Sequence, residues 1–397
     1  MAVQGDVAGL PQQRSSFIYD PRFRGVASQA LLALVLVLFI GWIASNTVEN
    51  LQRAHIASGF GFLWARAGFD ISQALIPYSA EMSYGRAFLV GLLNTLLVAA
   101  LGIVLASILG FMLGIARLSK NWLIAQIATI YIETLRNIPI LLQLLFWYKA
   151  VLSVLPSPKQ GFNLPLGATL SNRGLIIPQP IFHEEFLATG IAILVAIAVI
   201  AIVARWAHRR QMMTGQTFPT FWVGLGILVV LPVIVFVVTG MPASFDFPQL
   251  QGFNYVGGTQ IKPEFMALLL GLTLYTATYI GEIVRAGILA VAHGQTEASY
   301  ALGLRPGTAL RLVIIPQALR VIIPPLTSQY LNLTKNSSLA VAVGYPDLVS
   351  VFSGTVLNQT GQAVEVIFIT MLVYLAISLA TSAFMNWFNQ RVALVER

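Results

Sequence analysis

The most specific residue pattern in the chain lies at 294–316, where one acidic side chain stands among small residues ahead of a glycine and a proline. Residues 297–302 can form a short helix, and the glycine that follows can adopt the left-handed backbone that ends one. A second short helix is predicted over 308–315, with the proline ending it before the next apolar run. This pattern predicts a compact two-helix projection that docks into a recess on another protein. The residues assigned to that contact are Glu297, Ala298, Ser299, Gly303 and Pro316.

Few other residue patterns in the chain could support chemistry. It contains no cysteine, which excludes disulfides, thiolate catalysis and cysteine-bound metals. Its four histidines (His55, His183, His208 and His293) form no pair at metal-ligand spacing. No lysine follows a glycine, so the chain has no phosphate loop of the G-x-x-x-x-G-K-[ST] type. We therefore expect no enzyme active site and no cofactor in this chain.

The composition of the whole chain indicates a membrane protein. Of its 397 residues, 57% are hydrophobic and only 10% are charged, and the mean hydropathy is +0.79. Such a chain cannot cover an ordinary soluble domain with a polar surface. The net charge of +8 does not predict nucleic-acid binding, because the basic residues lie in short segments beside apolar runs. The predicted fold is an all-α polytopic bundle of membrane helices.

About eight apolar runs are long enough to cross the hydrocarbon core, which takes about 20 residues. They lie near 26–45, 87–116, 138–155, 186–206, 219–240, 264–291, 318–343 and 363–388. The first run is too long for the core of a signal peptide, so we expect a retained anchor. Lysine and arginine cluster on alternate sides of the runs, which predicts that both termini are cytoplasmic.

The stretch 121–155 should contain a break. A single helix of that length would be roughly 50 Å long, against a hydrocarbon core of about 30 Å. Pro139 disfavours a helical residue before it and lacks a backbone donor. We predict an interfacial helix over 121–135 and a span over 138–155. Residues 156–262 differ in composition, with Pro- and Gly-containing loops around two apolar spans, and are predicted to be an insertion.

The 297–316 segment resembles the EAA loop of ABC importer permeases. The family pattern is Glu-Ala-Ala, three residues, Gly, nine residues, an aliphatic residue, one residue, a second aliphatic residue and Pro. Val313 and Ile315 supply the aliphatic positions, and Ser299 replaces the second alanine, one small residue for another. The resemblance implies that this loop is the coupling helix that docks into a groove on a separate ATPase subunit.

Four further segments resemble the polar amino-acid branch of these permeases, namely 91–98, 132–145, 275–290 and 335–348. The extra first span and the insertion are similar to those of the general L-amino-acid permeases. The resemblance implies a five-helix type I importer core. The implied parts are a cytoplasmic segment 1–25, an extra helix 26–45, an external loop 46–86, core 87–155, insertion 156–262, core 263–388 with coupling loop 292–317, and a cytoplasmic tail 389–397.

The resemblance also implies a function and a set of partners. The chain would be a permease subunit that translocates polar L-amino acids across the bacterial inner membrane. Its implied partners are a second homologous permease subunit, a dimer of P-loop ATPase subunits, a periplasmic amino-acid-binding protein and the lipid bilayer. ATP and Mg²⁺ would be bound by the partner ATPase and not by this chain.

Polar residues within the predicted spans are candidates for lining the solute pathway. Lys335 lies inside a span, and a buried charge is costly unless it faces a polar cavity or a partner. A cation with amide and hydroxyl neighbours suits an α-carboxylate, although a structural contact would also satisfy it. Glu282 could instead pair with Arg285, three residues later. The candidates are Lys335, Asn336, Ser337, Glu282, Asn94, Thr95 and Gln143, of which the last three also suit hydrogen bonds between helices.

Two other classes of protein fit parts of this pattern. An ion-coupled secondary transporter would need intramembrane carboxylates, for which Glu282 and Glu133 are the available residues. Such carriers are often built from internal repeats, and the sequence shows none. A structural or receptor membrane subunit without a pathway is the second alternative.

Overall fold

The computed structural model describes residues 21–53 and 58–392, so most of the predicted cytoplasmic segments 1–25 and 389–397, and His55, lie outside it. The α-helices are α1 Pro21–Arg53, α2 Tyr84–Arg117, α3 Trp122–Asn137, α4 Ile140–Leu145, α5 Phe186–Thr214, α6 Thr220–Val238, α7 Pro263–Leu289, α8 His293–Ala301, α9 Pro306–Ala309, α10 Ile315–Asn336, α11 Leu357–Thr360 and α12 Ala363–Val392. The strands are β1 Phe162–Asn163, β2 Thr169–Ser171, β3 Gly174–Ile177, β4 Gln179–Phe182, β5 Ala243–Asp246, β6 Gln249–Gln251, β7 Asn254–Val256 and β8 Thr259–Ile261.

Seven helical segments in the described ranges are long and apolar enough to cross a membrane, and they correspond to seven of the eight predicted runs. The remaining run, predicted as a span over 138–155, is the shorter apolar helix Ile140–Leu152. This helix begins directly after Pro139 and ends at Leu152, so the crossing predicted over 138–155 is shorter than predicted.

The bundle is built around close packing of α2 against α7. A Cβ added at Gly110 of α2 would lie 2.6 Å from Cβ of Ile280, and one added at Gly114 would lie 2.7 Å from the carbonyl oxygen of Gly281. Small residues let membrane helices approach each other at such contacts. Helices α10 and α12 pack beside this pair. Fully buried side chains in the resulting core include Val98, Leu144, Leu268, Leu272, Ile280, Leu333 and Tyr345.

The predicted break before Pro139 is confirmed. Helix α3 ends at Asn137, and Ile138 has an extended backbone with φ −98° and ψ 127°. The buried Gln143 side chain donates from Nε2 to the carbonyls of Leu135 and Ile138, at 2.8 and 2.9 Å. A helix break frees backbone carbonyls that need other donors, and Gln143 supplies them here. Gln143, a pathway candidate, is therefore engaged in holding the break.

The predicted helix stop at Pro316 is wrong. The chain stays helical from Pro306 to Asn336, through α9, a π-helical turn at Leu310–Ile314 and α10. Pro316 lies in the first turn of α10, directly after that wider turn. A proline is tolerated in a first turn, and a π-helical turn is a common site of local adjustment in a helix. The coupling loop therefore runs into α10 without an intervening break.

The loops of the predicted insertion form short strands, which the all-α prediction missed. Strands β1, β2, β3 and β8 form an antiparallel sheet that joins the loop before α5 to the loop after α6. Strands β4 and β5 pair across the same two loops, and β6 with β7 forms a hairpin. We call residues 158–182 and 243–261 the strand region. Its strands have only two to four residues, too few to show an alternating pattern.

Candidate functional site: a coupling loop and the Lys335 cleft

The backbone at the end of α8 confirms the predicted helix stop at Gly303. This glycine has φ +75°, in the left-handed region. Its N–H donates to the Tyr300 carbonyl at 2.9 Å, and the Leu304 N–H donates to the Ser299 carbonyl at 3.1 Å. These two bonds form a Schellman motif, which satisfies carbonyls that a helix end would otherwise leave unpaired. The turn between α8 and α9 is thus fixed by hydrogen bonds that depend on a left-handed residue.

The α8 side chains divide into an inner and an outer set. Ser299 is buried, and its hydroxyl donates to the Gln295 carbonyl at 2.6 Å. Glu297 and Ala298 are exposed, and the Glu297 carboxylate lies 3.1 Å from Nδ1 of His293. Leu302, at the loop tip, is 81% exposed. The loop therefore presents an acidic, a small and a large apolar side chain, while Ser299 packs against its own chain.

An ion-pair network joins three helices on the same side of the bundle as the coupling loop. Glu282 of α7 accepts from Nε of Arg285 at 3.1 Å and also binds Arg117, the last residue of α2. Arg117 in turn lies 3.5 Å from Glu133 of α3. The Glu282–Arg285 pair predicted from the sequence is confirmed. These contacts give Glu282 a structural function, near the end of α7 that leads into α8.

Two of the pathway candidates on α2 bind backbone groups. Asn94 and Thr95 are fully buried. Asn94 Nδ2 donates to the carbonyls of Pro346 and Gln73, at 2.8 and 2.9 Å. Thr95 Oγ1 accepts from the Leu348 N–H at 3.0 Å. Both side chains thus hold the 345–348 turn against α2. They lie about 35 Å along α2 from the Arg117 end, so the structure does not bring them together with Glu282.

Lys335 lines an open cleft of about 420 Å³. Its neighbour Leu333 packs on Gly102, near the middle of α2, where an added Cβ would lie 3.1 Å from Leu333 Cδ2. Lys335 is exposed, and no salt bridge within 21–53 and 58–392 involves it. The cleft therefore places a cation without a salt-bridge partner in those ranges at mid-depth of the bundle, within a mostly apolar lining whose hydroxyls bond to other groups of the chain. Its other lining residues are Ser338, Val349, Ser353, Ile367, Thr370, Met371 and Tyr374.

The remaining candidates, Asn336 and Ser337, directly follow Lys335 in the chain, and Tyr374 of the cleft contacts a carboxylate that the sequence analysis missed. Asn336 is partly buried, and the buried Ser337 hydroxyl donates to the Thr334 carbonyl at 2.7 Å. Asp347 is fully buried and accepts from the Ser350 N–H at 2.8 Å. The Tyr374 hydroxyl, which lines the cleft, lies 3.5 Å from Asp347. The sequence feature that could have identified Asp347 is its position as a single carboxylate within a long apolar segment.

Residues 188–394 match the family model of the binding-protein-dependent transport system inner membrane component, and the chain belongs to this family. It is 56% identical over 382 residues to the general L-amino acid transport system permease protein AapQ of Rhizobium johnstonii, covering 96% of this chain and 95% of that protein. In an alignment of 429 positions that covers both chains completely, it is 43% identical to the glutamate/glutamine/aspartate/asparagine transport system permease protein BztB of Rhodobacter capsulatus.

A solved structure titled as an amino acid ABC transporter with histidines is also similar, with a TM-score of 0.46 and 21% identity over 78% of this chain and 95% of that one. The sequence relatives confirm the resemblance to amino-acid ABC permeases. The chain is a multi-pass membrane permease subunit of an ABC transporter. Nothing in these matches favours an ion-coupled carrier.

Proposed function

We propose that this chain is one of two homologous membrane subunits of a bacterial inner-membrane importer for polar L-amino acids. The observation that carries the proposal is the coupling loop, with its Schellman turn at Gly303 and its exposed Glu297 and Leu302. The substrate class is supported by the names of the relatives, which are transport systems for L-amino acids or for the two acidic amino acids and their amides.

The proposed partners follow from what the loop offers and what the sequence lacks. Because the chain has no phosphate loop, ATP and Mg²⁺ bind to a separate pair of P-loop subunits. One of these subunits receives α8 in a groove. A periplasmic amino-acid-binding protein delivers the solute to the opposite face. Lys335 and the hydroxyl groups of its cleft then line the route, where the lysine can attract the carboxylate of the solute.

The test of this function is uptake by the reconstituted transporter. Proteoliposomes should contain the chain with its partner permease and ATPase, with ATP enclosed and the binding protein outside. We expect accumulation of L-glutamine that needs hydrolysable ATP and persists when ionophores collapse proton and sodium gradients. Uptake that follows an imposed ion gradient in the absence of ATP would contradict the proposal. It would show instead that the chain is an ion-coupled secondary transporter.

The proposed orientation can be tested by labelling single cysteines, because the natural chain has none. Met213, in the last turn of α5, is 80% exposed, and Asn163 of β1 is also exposed. We expect a membrane-impermeant maleimide to label Asn163→Cys on intact spheroplasts, and Met213→Cys only after permeabilisation. A tag on Arg397, which lies outside the described residues, should be cytoplasmic. The reverse labelling pattern would invert the topology and place α8 on the wrong side for an ATPase.

A further inference from the structure

A polar cavity lies where the strand region meets the start of α7. It has a volume of about 410 Å³, and its lining includes Tyr148, Arg173, Lys262 and Glu264. A second concavity of about 370 Å³ shares Arg173 and Gln260 with it. Sites for small molecules commonly have about 300–1,000 Å³. The cavity is at the opposite end of α7 from the coupling loop and is distinct from the Lys335 cleft.

The turn that carries Arg173 is fixed on both sides. The Asn172 N–H donates to the Pro156 carbonyl at 2.9 Å, and Gln260 Nε2 donates to the Arg173 carbonyl at 2.7 Å. Gly174 follows with φ +103°, and a Cβ added there would lie 2.1 Å from the Ile261 carbonyl oxygen. This close approach brings the turn against the chain that enters α7. The backbone of Arg173 is therefore held beside Lys262 and Glu264.

The charged groups of this cavity are not paired with one another. No salt bridge within the described part of the chain involves Arg173, Lys262 or Glu264. Glu264 Oε1 accepts from the Tyr148 hydroxyl at 3.1 Å, which fixes the carboxylate. The cavity thus presents two cationic side chains and one positioned carboxylate to a ligand. A simple anion would leave the carboxylate unpaired and a simple cation would leave the two basic groups unpaired, whereas a ligand with both charges can pair with all three.

We propose that this cavity binds a zwitterionic L-amino acid before it enters the bundle. Arg173 and Lys262 bind the α-carboxylate, for which a guanidinium offers two parallel donors. Glu264 binds the α-ammonium group. The ligand class and the external position of the cavity rest on the proposed function. The strand region then serves as a receiving site between the binding protein and the Lys335 cleft.

The test measures binding of radiolabelled L-glutamine to the complete transporter in nanodiscs without the binding protein. A Lys335→Met background removes the charge of the other candidate site. Two further probes are glutaramate, which lacks the ammonium group, and L-glutaminamide, which lacks the carboxylate. The variants are Glu264→Gln, Arg173→Gln and Lys262→Gln. Lys159→Gln is the matched control, because Lys159 lies in the strand region over the Phe253 ring and does not line the cavity.

We expect the dissociation constant for L-glutamine to rise about tenfold or more in Glu264→Gln and Arg173→Gln, as for the loss of one charge-assisted hydrogen bond. Lys262→Gln should weaken binding in the same direction, and Lys159→Gln should leave it unchanged. Glutaramate should bind weakly and gain affinity in Glu264→Gln, which removes a like charge, while L-glutaminamide should gain affinity in Arg173→Gln for the same reason. A misfolded strand region could not produce this dependence on the ligand's own charged groups.

Unchanged L-glutamine binding in all three variants would overturn the proposal. So would effects that appear only when the binding protein is added, since the cavity would then be a docking contact for that protein. If wild-type proteoliposomes import L-glutamine with ATP while these variants bind it normally, the proposed receiving site is wrong and the proposed function stands. If the wild-type transporter neither binds nor imports any L-amino acid, the proposed function is wrong.

Discussion

Replacing Lys335 with methionine should lower amino-acid uptake about tenfold or more while the subunit remains inserted and assembled. The substitution keeps most of the apolar volume and removes the charge. A hydrogen bond to a charged group contributes about 1.5–3 kcal/mol, and about 1.4 kcal/mol corresponds to a factor of ten. Because Lys335 is exposed in an open cleft and forms no salt bridge in the described ranges, no buried partner is left unpaired.

The measurement is the initial uptake rate, normalised to the amount of the subunit in the membrane. Basal ATP hydrolysis is measured in the same proteoliposomes. Lys120→Met is the matched control, since Lys120 is an exposed lysine between α2 and α3 that does not line the cleft. Its uptake should equal that of the wild type. Loss of Lys335→Met from the membrane would show a structural role for this lysine. Normal uptake at normal abundance would show that Lys335 lies beside the pathway without contributing to it.

Much of the fold could be predicted from local sequence because local physics decides it. Long apolar runs cross membranes whatever their neighbours, so seven of the eight predicted spans correspond to long helices in the described residues. The break at Pro139 and the left-handed turn at Gly303 also depend mainly on residue type. The helix and the stop of the predicted coupling loop could be placed for the same reason, because they lie within 11 consecutive residues, His293 to Gly303.

The remaining features depend on distant contacts that a single sequence does not reveal. Asn94 is polar at membrane depth, but only its bond to Pro346, 252 positions later, shows that it holds a turn. Strand β3 pairs with β8 across the whole α5–α6 hairpin, so neither loop alone shows that the two loops join in one sheet. Pro316 was wrongly predicted to end a helix, because a π-helical turn before it keeps the helix continuous. No residue pattern predicts that turn.

Coupling through α8 should show the second large effect. Gly303→Val places a β-branched side chain at φ +75°, where a non-glycine residue costs about 1–2 kcal/mol. The turn would relax away from the Schellman geometry, and a shift of that size changes an equilibrium about 5- to 30-fold. Glu297→Lys reverses the exposed charge of the loop and should weaken its contact with the proposed ATPase subunit, if that contact is complementary in charge. Both variants should remain in the membrane at normal abundance.

Gly215→Val provides the matched control for backbone strain. Gly215 ends α5 with φ +71°, and nothing lies within 4 Å of a Cβ added there. It lies in the predicted cytoplasmic 207–217 loop, so the same strain occurs on the same face but away from the coupling loop. Gly215→Val should therefore reduce stability slightly and leave coupling intact.

The most direct test of the account is the ATP hydrolysis that the loaded binding protein stimulates, measured with L-glutamine uptake in the same proteoliposomes. We expect Gly303→Val and Glu297→Lys to lose most of the stimulated hydrolysis and most of the uptake, while Gly215→Val retains both. Wild-type stimulation and wild-type uptake in both coupling-loop variants would contradict the account, because α8 could not then be the contact through which the ATPase acts on this chain.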